Sequence, residues 1–419
     1  MASTINNDRP VTYRDVFGNG NWIRLWVGQT ISQLGDFVAT IAFPLLVYEI
    51  TKSAVGLGIG FIIELLPIVI VSPIVGVFAD RWNRRTILLV SDSVRVLCTL
   101  AMFFSTNVLQ LYALGLIAAI MQAVFLTTYS AVIPQITGDQ FVKSISMSYT
   151  GYSTMQVIGP LAATALIGLL HGPRPVFIFD AATFAIAVIM TSTIRVGRIE
   201  QDGQKKRFLD DLRAGAKFLQ QNAVVRYITG YHTMSTISEA AAILGTLIYI
   251  KTALGLSATA SDQLYGLVGG IMAASLALGN WLIGLFDQRL PKRPLIFWGP
   301  VLAGLTYLLF IFQPGPLLVL VICFVIGIGK ASSLVPSLSF LALAIPNDLR
   351  GRVYSFFNAI SSLANLLAYG LFALVATQLS PSILLAIAGL LLLVGIPLCT
   401  FFLKGAKALR EHEELQAAK

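Results

Sequence analysis

Seven charged side chains fall inside long apolar runs: Asp36, Glu64, Asp92, Arg95, Asp180, Glu239 and Lys330, with His232 close by. A charge at the middle of a bilayer costs about 2.5 kcal/mol or more, so each needs a cavity, a partner or a proton. Gln29, Gln33, Asp36 and Thr40 recur at i, i+4, i+7 and i+11, which is one face of a helix. His232, Ser235 and Glu239 at i, i+3 and i+7 form a second such face. A polar stripe against lipid is unfavourable, so both are expected to face a central chamber. Asp36 and Glu239 are the leading candidates for binding a proton or a cationic substrate; the alternative is a buried carboxylate satisfied by bonds between helices. Glu64 either faces the same chamber or pairs with Lys330, which lies at similar depth in a later run. Lys330 itself either holds an anionic group or balances a carboxylate. Gly327-Ile-Gly329-Lys330 ends like a phosphate loop, but Phe324 stands where that loop needs its first glycine and Ala331 follows the lysine, so an ATP site is excluded. Asp92 and Arg95, three apart, are expected to pair with each other near the cytoplasmic end of their span. Asp180 reads as structural. His232 has a hydrogen-bonding or a relay reading. His171 and His412 have no metal spacing, and no metal or cofactor is expected.

The elements that must position these groups follow from composition. Of 419 residues, 56% are hydrophobic and 12% charged, against about 25% charged in a soluble domain. Too little polar surface exists to cover a water-soluble globule. Breaking the chain at charges, Pro and Gly yields twelve apolar segments: 22–50, 54–79, 86–105, 108–132, 144–170, 175–195, 223–250, 262–286, 294–313, 315–342, 350–377 and 381–403. Each is long enough to cross a bilayer as a helix, for which about 20 residues suffice. None alternates with period two, so a membrane β-barrel is excluded. The first 21 residues are polar and nothing suggests a cleaved leader. Cys98, Cys323 and Cys399 lie within apolar runs and read as packing residues.

A net charge of +9 would suggest nucleic acid for a soluble chain. Here the charge lies in alternate loops. Of 29 basic residues, Arg95 and Lys330 fall inside spans and Lys52, Arg174 and Lys251 in loops on one side; the other 24 fall on the opposite side or at the chain ends. That bias predicts a multi-pass protein of the cell inner (plasma) membrane with both termini cytoplasmic, and no nucleic-acid partner. Residues 1–21 form an N-terminal segment, 22–195 and 223–403 two six-helix bundles, 196–222 a cytoplasmic linker, and 404–419 a tail. Phe208, Leu212 and Leu219 in the linker have helical spacing, so part of it is either an amphipathic helix or a solvated connector.

The two bundles echo one another. Gly76-Val-Phe-Ala-Asp80-Arg81-Trp-Asn-Arg84-Arg85 joins spans two and three, and Gly284-Leu-Phe-Asp287-Gln-Arg289-Leu-Pro-Lys292-Arg293 joins spans eight and nine. Ile133-Pro134 ends span four and Ile345-Pro346 ends span ten at a similar offset. A half-length repeat in an apolar chain is the mark of a duplicated bundle.

Gly76, Asp80, Arg81, Arg84 and Arg85 fit the signature G-x-x-x-D-R-x-x-R-R/K, and the chain resembles the major facilitator superfamily. Leu349-Arg-Gly-Arg-Val353 and Phe179-Asp180-Ala-Ala-Thr-Phe184 are similar to strings of its drug- and siderophore-exporter branch, which includes macrolide-efflux and enterobactin-exporter proteins. The resemblance implies an all-α fold of twelve transmembrane helices in two pseudo-symmetric six-helix bundles. It implies that the first helix of each three-helix unit lines the pathway. It also implies that Asp80, with Gly76, Arg81, Arg84 and Arg85 around it and Asp92 and Arg95 linked to it, forms a latch on the cytoplasmic side. Gly284, Asp287, Arg289 and Arg293 would be the second-half counterpart, although Gln288 stands where Asp80 would repeat. Gly159-Pro160 in span five matches in part the glycine-proline segment of antiporters, or is a packing kink.

The expected function is secondary active transport: proton-coupled efflux of lipophilic or amphipathic small molecules by alternating access, carried out by a monomer in lipid. Alternatives on the same scaffold are siderophore export or lysophospholipid movement, and, in a different class, a non-transporting sensor or scaffold. Enzyme motifs such as H-E-x-x-H or an activated serine do not occur.

Overall fold

The structure, a computed structural model, describes residues 12–78, 83–195, 208–285, 292–346, 349–403 and 409–410. Among these residues the regular structure is all helical: α1 (Tyr13–Gly18), α2 (Gly20–Thr51), α3 (Ala54–Phe78), α4 (Arg84–Phe104), α5 (Val108–Thr137), α6 (Phe141–Leu170), α7 (Val176–Ser192), α8 (Phe208–Gln221), α9 (Ala223–Thr252), α10 (Ala258–Leu285), α11 (Lys292–Leu308), α12 (Pro316–Ala344), α13 (Arg350–Val375) and α14 (Pro381–Phe402). Ten stretches are long and apolar enough to cross a bilayer; one, Val108–Leu170, holds both α5 and α6, and the shorter apolar α7 completes twelve.

Local chemistry sets where the spans start and stop. Asparagine side chains cap α2, α4, α5 and α9: Asn19, Asn83, Asn107 and Asn222 each accept from a backbone N–H in the first turn. Pro316 and Pro381 open α12 and α14, where a missing N–H costs nothing. Span four does not end at Ile133-Pro134 as expected. Pro134 lies inside α5, which runs to Thr137 and stops at Gly138, whose φ of +47° takes the chain out of the helix. A single proline leaves one carbonyl unbonded, which a membrane helix tolerates.

The duplication is visible in which helices touch. In the first half α2 packs on α7 and α6, α3 on α5, and α4 on α5 and α7. In the second, α9 packs on α14 and α13, α10 on α12, and α11 on α12 and α14. Each of these contacts recurs seven helices later. The halves meet along two equivalent seams, α6 on α10 and α3 on α13. Small residues let the backbones close there. A Cβ on Gly58 would come within 2.2 Å of Ala373 Cβ, and one on Gly266 within 2.5 Å of Thr164 Oγ1. In the linker, α8 forms as the amphipathic reading expects, and it packs against protein. A Cβ on its Gly215 would lie 2.7 Å from the Arg352 carbonyl oxygen of α13. Leu219 joins the core, while Phe208 and Leu212 lie outside the residues whose side chains are described. The three cysteines are unbonded thiols.

Candidate functional site

Two adjoining cavities occupy the middle of the bundle. One, of about 500 Å³, lies among the helices of the first half and is lined by Gln29, Gln33, Asp36, Thr40, Arg95, Gln122, Tyr152 and Asp180. The other, of about 400 Å³, lies between the halves and is lined by Phe61, Tyr265, Met272, Tyr307 and Tyr369, with Glu239 and Lys330 at its wall. Phe37, Thr40, Glu64 and Leu65 belong to both walls. The whole is one chamber with a polar lobe and an apolar lobe, and Glu64 stands at their junction.

The stripe on the first span, Gln29, Gln33, Asp36 and Thr40, lies entirely on the chamber wall. Helical spacing placed these four on one face, and α2 turns that face inward because its other sides are taken by α7 and α6. The stripe on α9 divides. Glu239 reaches the chamber, but the His232 ring packs on Phe357 of α13 with centroids 4.8 Å apart. His232 is held by an aromatic neighbour, and neither a hydrogen bond from its ring nor a relay partner is present among the described residues.

Ion pairing adds one partner to the sequence expectation and decides between alternatives in a second place. Arg95 reaches across to α2 and contacts Asp36 Oδ1 through Nη2, while its Nη1 lies 3.7 Å from Asp92 Oδ1. The neighbour on its own helix is therefore the weaker partner. The reason is geometric: an i, i+3 pair leaves the guanidinium pointing along α4, and the Phe184 ring of α7, 3.9 Å below it, props it toward α2. Arg95 thus sits on the chamber wall, apart from the basic loops where a latch would lie. Lys330 donates to Glu239 Oε1 at 2.9 Å, linking α12 to α9. It does not pair with Glu64. Among the described residues Glu64 has neither hydrogen bond nor ion pair. Asp180, read as structural from sequence, is buried and lines the polar lobe. The signal that could have found it was its charge within an apolar run.

Of the signature residues, Asp80 and Arg81 lie outside the described residues, as do Asp287 and Arg289 of the second copy; Gly76 is described only as part of α3. Arg84 Nη1 donates to the Ala131 carbonyl of α5 at 3.1 Å, and Arg85 donates to the Ser192 carbonyl of α7. Both fasten the start of α4 to its neighbours. Gly284 faces open space, and Arg293 lies in the first turn of α11 with a partner of its own. Gly159-Pro160 sits where three helices cross. A Cβ on Gly159 would come within 2.2 Å of Phe37 Cβ in α2, and one on Gly269 of α10 within 3.4 Å of Pro160 Cβ.

Duplicated bundles around a central, partly charged chamber define a membrane transporter rather than an enzyme. The chain belongs to the major facilitator superfamily, whose model matches residues 25–238 and again 228–418. It is similar to macrolide efflux protein A of Streptococcus pyogenes, 23% identical over 393 residues that cover 90% of this chain and 94% of that one. It is also similar to the multidrug resistance protein MdtG of Citrobacter koseri, 21% identical over 357 residues covering 82% and 86%. A solved bacterial homologue of the human lysosomal transporter Spinster, inward-facing and unoccupied, shares the fold. It has a TM-score of 0.69 at 15% identity, over 96% of this chain and 99% of that one.

Proposed function

We propose that this protein is a proton-coupled exporter of lipophilic or amphipathic small molecules that works by alternating access. The observation that carries the reading is the chamber itself: an aromatic and aliphatic lobe adjoining a charged one, with Glu64 at the junction and, among the described residues, paired with no cation. An apolar pocket with few polar anchors accepts varied ligands. A carboxyl without a partner at membrane depth is a place for a proton or a cationic group. The printed names of the relatives, macrolide efflux and multidrug resistance, support export.

The protein lies in the cell inner membrane with both termini cytoplasmic. Residues 22–195 and 223–403 act as two lobes joined by 196–222, and one chain suffices. Close approaches along the seams α3–α13 and α6–α10, at Gly58, Gly168 and Gly266, lie in the part remote from the basic loops. That supports a chamber closed to the outside and reached from the cytoplasm. Substrate entry, closure of the inner side and opening of the outer side then follow by rocking of the lobes.

Proteoliposomes loaded with ethidium and given an inward proton gradient test the coupling. Concentrative transport is expected to collapse when a protonophore dissipates the gradient. Transport that persists undiminished rules proton coupling out. Glu64→Gln is expected to lower gradient-driven transport at least about tenfold, the scale set by losing one proton-transfer group. Cysteines placed at 143 and 174 are expected to label from opposite sides of the membrane; labelling from one side overturns the topology.

A further inference from the structure

The polar lobe holds more acid than its one arginine can balance. Asp36 on α2, Asp92 on α4 and Asp180 on α7 surround Arg95, one carboxyl from each of three packed helices. All three ionised with one guanidinium would leave two uncompensated negative charges away from water, a penalty of several kcal/mol for each. Buried acids in that position keep their protons. The hydrogen bonding distinguishes the three. Asp36 takes the guanidinium. Asp92 is fully buried, neither of its oxygens accepts a hydrogen bond, and it does not line the chamber. Asp180 is 1% exposed, its Oδ1 has no hydrogen-bond partner, and it does line the chamber. The Thr183 hydroxyl donates to the Asp180 backbone carbonyl at 2.8 Å. The space for this carboxyl is built: a Cβ on Gly35 would lie 2.4 Å from Asp180 Oδ1 and 2.0 Å from Thr183 Oγ1.

We propose that Asp180 is a proton-carrying residue of the chamber, which exchanges its proton for a lipophilic cation by way of Arg95. This deepens the exporter reading and rests on it for the identity of the cargo. With the chamber empty, Arg95 neutralises Asp36, and Asp180 stays a neutral acid. A substrate cation reaching Asp36 displaces the guanidinium. Arg95 already sits over the Phe184 ring, one helical turn along α7 from Asp180, so rotation about its side-chain bonds brings it to the Asp180 carboxyl. There it stabilises the carboxylate, the Asp180 O–H bond breaks, and the proton leaves to chamber water. One positive charge enters and one leaves, so the lobe keeps its net charge. The other titratable groups facing the triad are Glu64 from α3 and Tyr152 from α6; both line the same lobe.

The test uses the purified full chain in detergent. At neutral pH the infrared C=O stretch of neutral carboxyls is expected to lose intensity in Asp180→Asn. Tetraphenylphosphonium is then titrated into weakly buffered protein with a pH indicator. Wild type is expected to release one proton per bound cation, and Asp180→Asn to release none. Asp180→Ser serves as the second variant should the asparagine fail to fold. An unchanged carboxyl band, or undiminished proton release in either variant, overturns the assignment. So does a wild type that binds the cation without releasing a proton, or does not bind it. Proton release that depends on Asp180 together with gradient-independent transport in liposomes overturns the exporter coupling and leaves the Asp180 assignment standing.

Discussion

The two halves put a carboxylate at the same depth of their first helix and then treat it differently. Asp36 stands as far from Gly20, the start of α2, as Glu239 does from Ala223, the start of α9. Asp36 takes its cation from the third helix of its half, Arg95 on α4, and two more acids crowd in. Glu239 takes its cation from the fourth, Lys330 on α12, and forms a simple pair. Exposure follows the same division. The Arg95 and Asp36 side chains are 5% and 29% exposed, those of Lys330 and Glu239 19% and 46%. The residue before each carboxylate differs too. Gly35 yields its space to Asp180 and Thr183 of α7, whereas Ser238 donates to the Ala388 carbonyl of α14 at 2.7 Å. One scaffold, copied, has produced a charge-dense lobe and an apolar lobe with a charged edge. The helix contacts are shared, and side chains alone make the difference.

The sharpest way to break this contrast is to remove each cation. Arg95→Met leaves buried acids around an uncompensated Asp36 and is expected to cost about 3–5 kcal/mol. Lys330→Met, at a wetter pair, is expected to cost below about 1 kcal/mol. Thermal unfolding in detergent compares them, and a larger loss from Lys330→Met would reverse the assignment of roles. Next come the residues before the carboxylates. Gly35→Ala overpacks α2 on α7 and is expected to cost about 1–3 kcal/mol. Ser238→Ala forfeits one hydrogen bond, about 1 kcal/mol. Equal effects would mean that the first-half contact is looser than its geometry implies. The smallest effect is expected at His232→Phe, which keeps a ring against Phe357. Stability within about 0.5 kcal/mol and an unaltered transport–pH profile are expected, and a shifted profile would return this histidine to the proton pathway.

Much of this arrangement was legible before any coordinates. Apolar runs and their interruptions located all twelve spans to within a few residues, because length and hydropathy are local properties. The α2 stripe was legible for the same reason: a period of 3.6 sorts Gln29, Gln33, Asp36 and Thr40 without knowledge of neighbours. Pairing was not. Arg95 chooses Asp36 over Asp92, and Lys330 chooses Glu239 over Glu64, because helix crossing angles bring together residues 59 and 91 positions apart. The place of Asp180 on the chamber wall was not legible on the same account, since which side of α7 meets the chamber depends on how α2 and α4 pack around it. His232 shared a face with Glu239 by spacing, but Phe357 of α13 claimed its ring. Pro134 misled in the other direction, as a breaker in water that a membrane helix absorbs.

The seams between the halves also bear on how readily the molecule changes shape. Gly58 meets Ala373, Phe61 stacks on Tyr369, and Gly266 and Gly270 approach Thr164 and Leu161 closely. Between residues 54–64 and 369–373, and between 159–168 and 263–270, no hydrogen bond or ion pair forms among the described residues. Sliding surfaces of this kind part without stripping any polar group of its partner. On the alternating-access reading proposed above, the occupancy of a few charges in the chamber would then tip the balance.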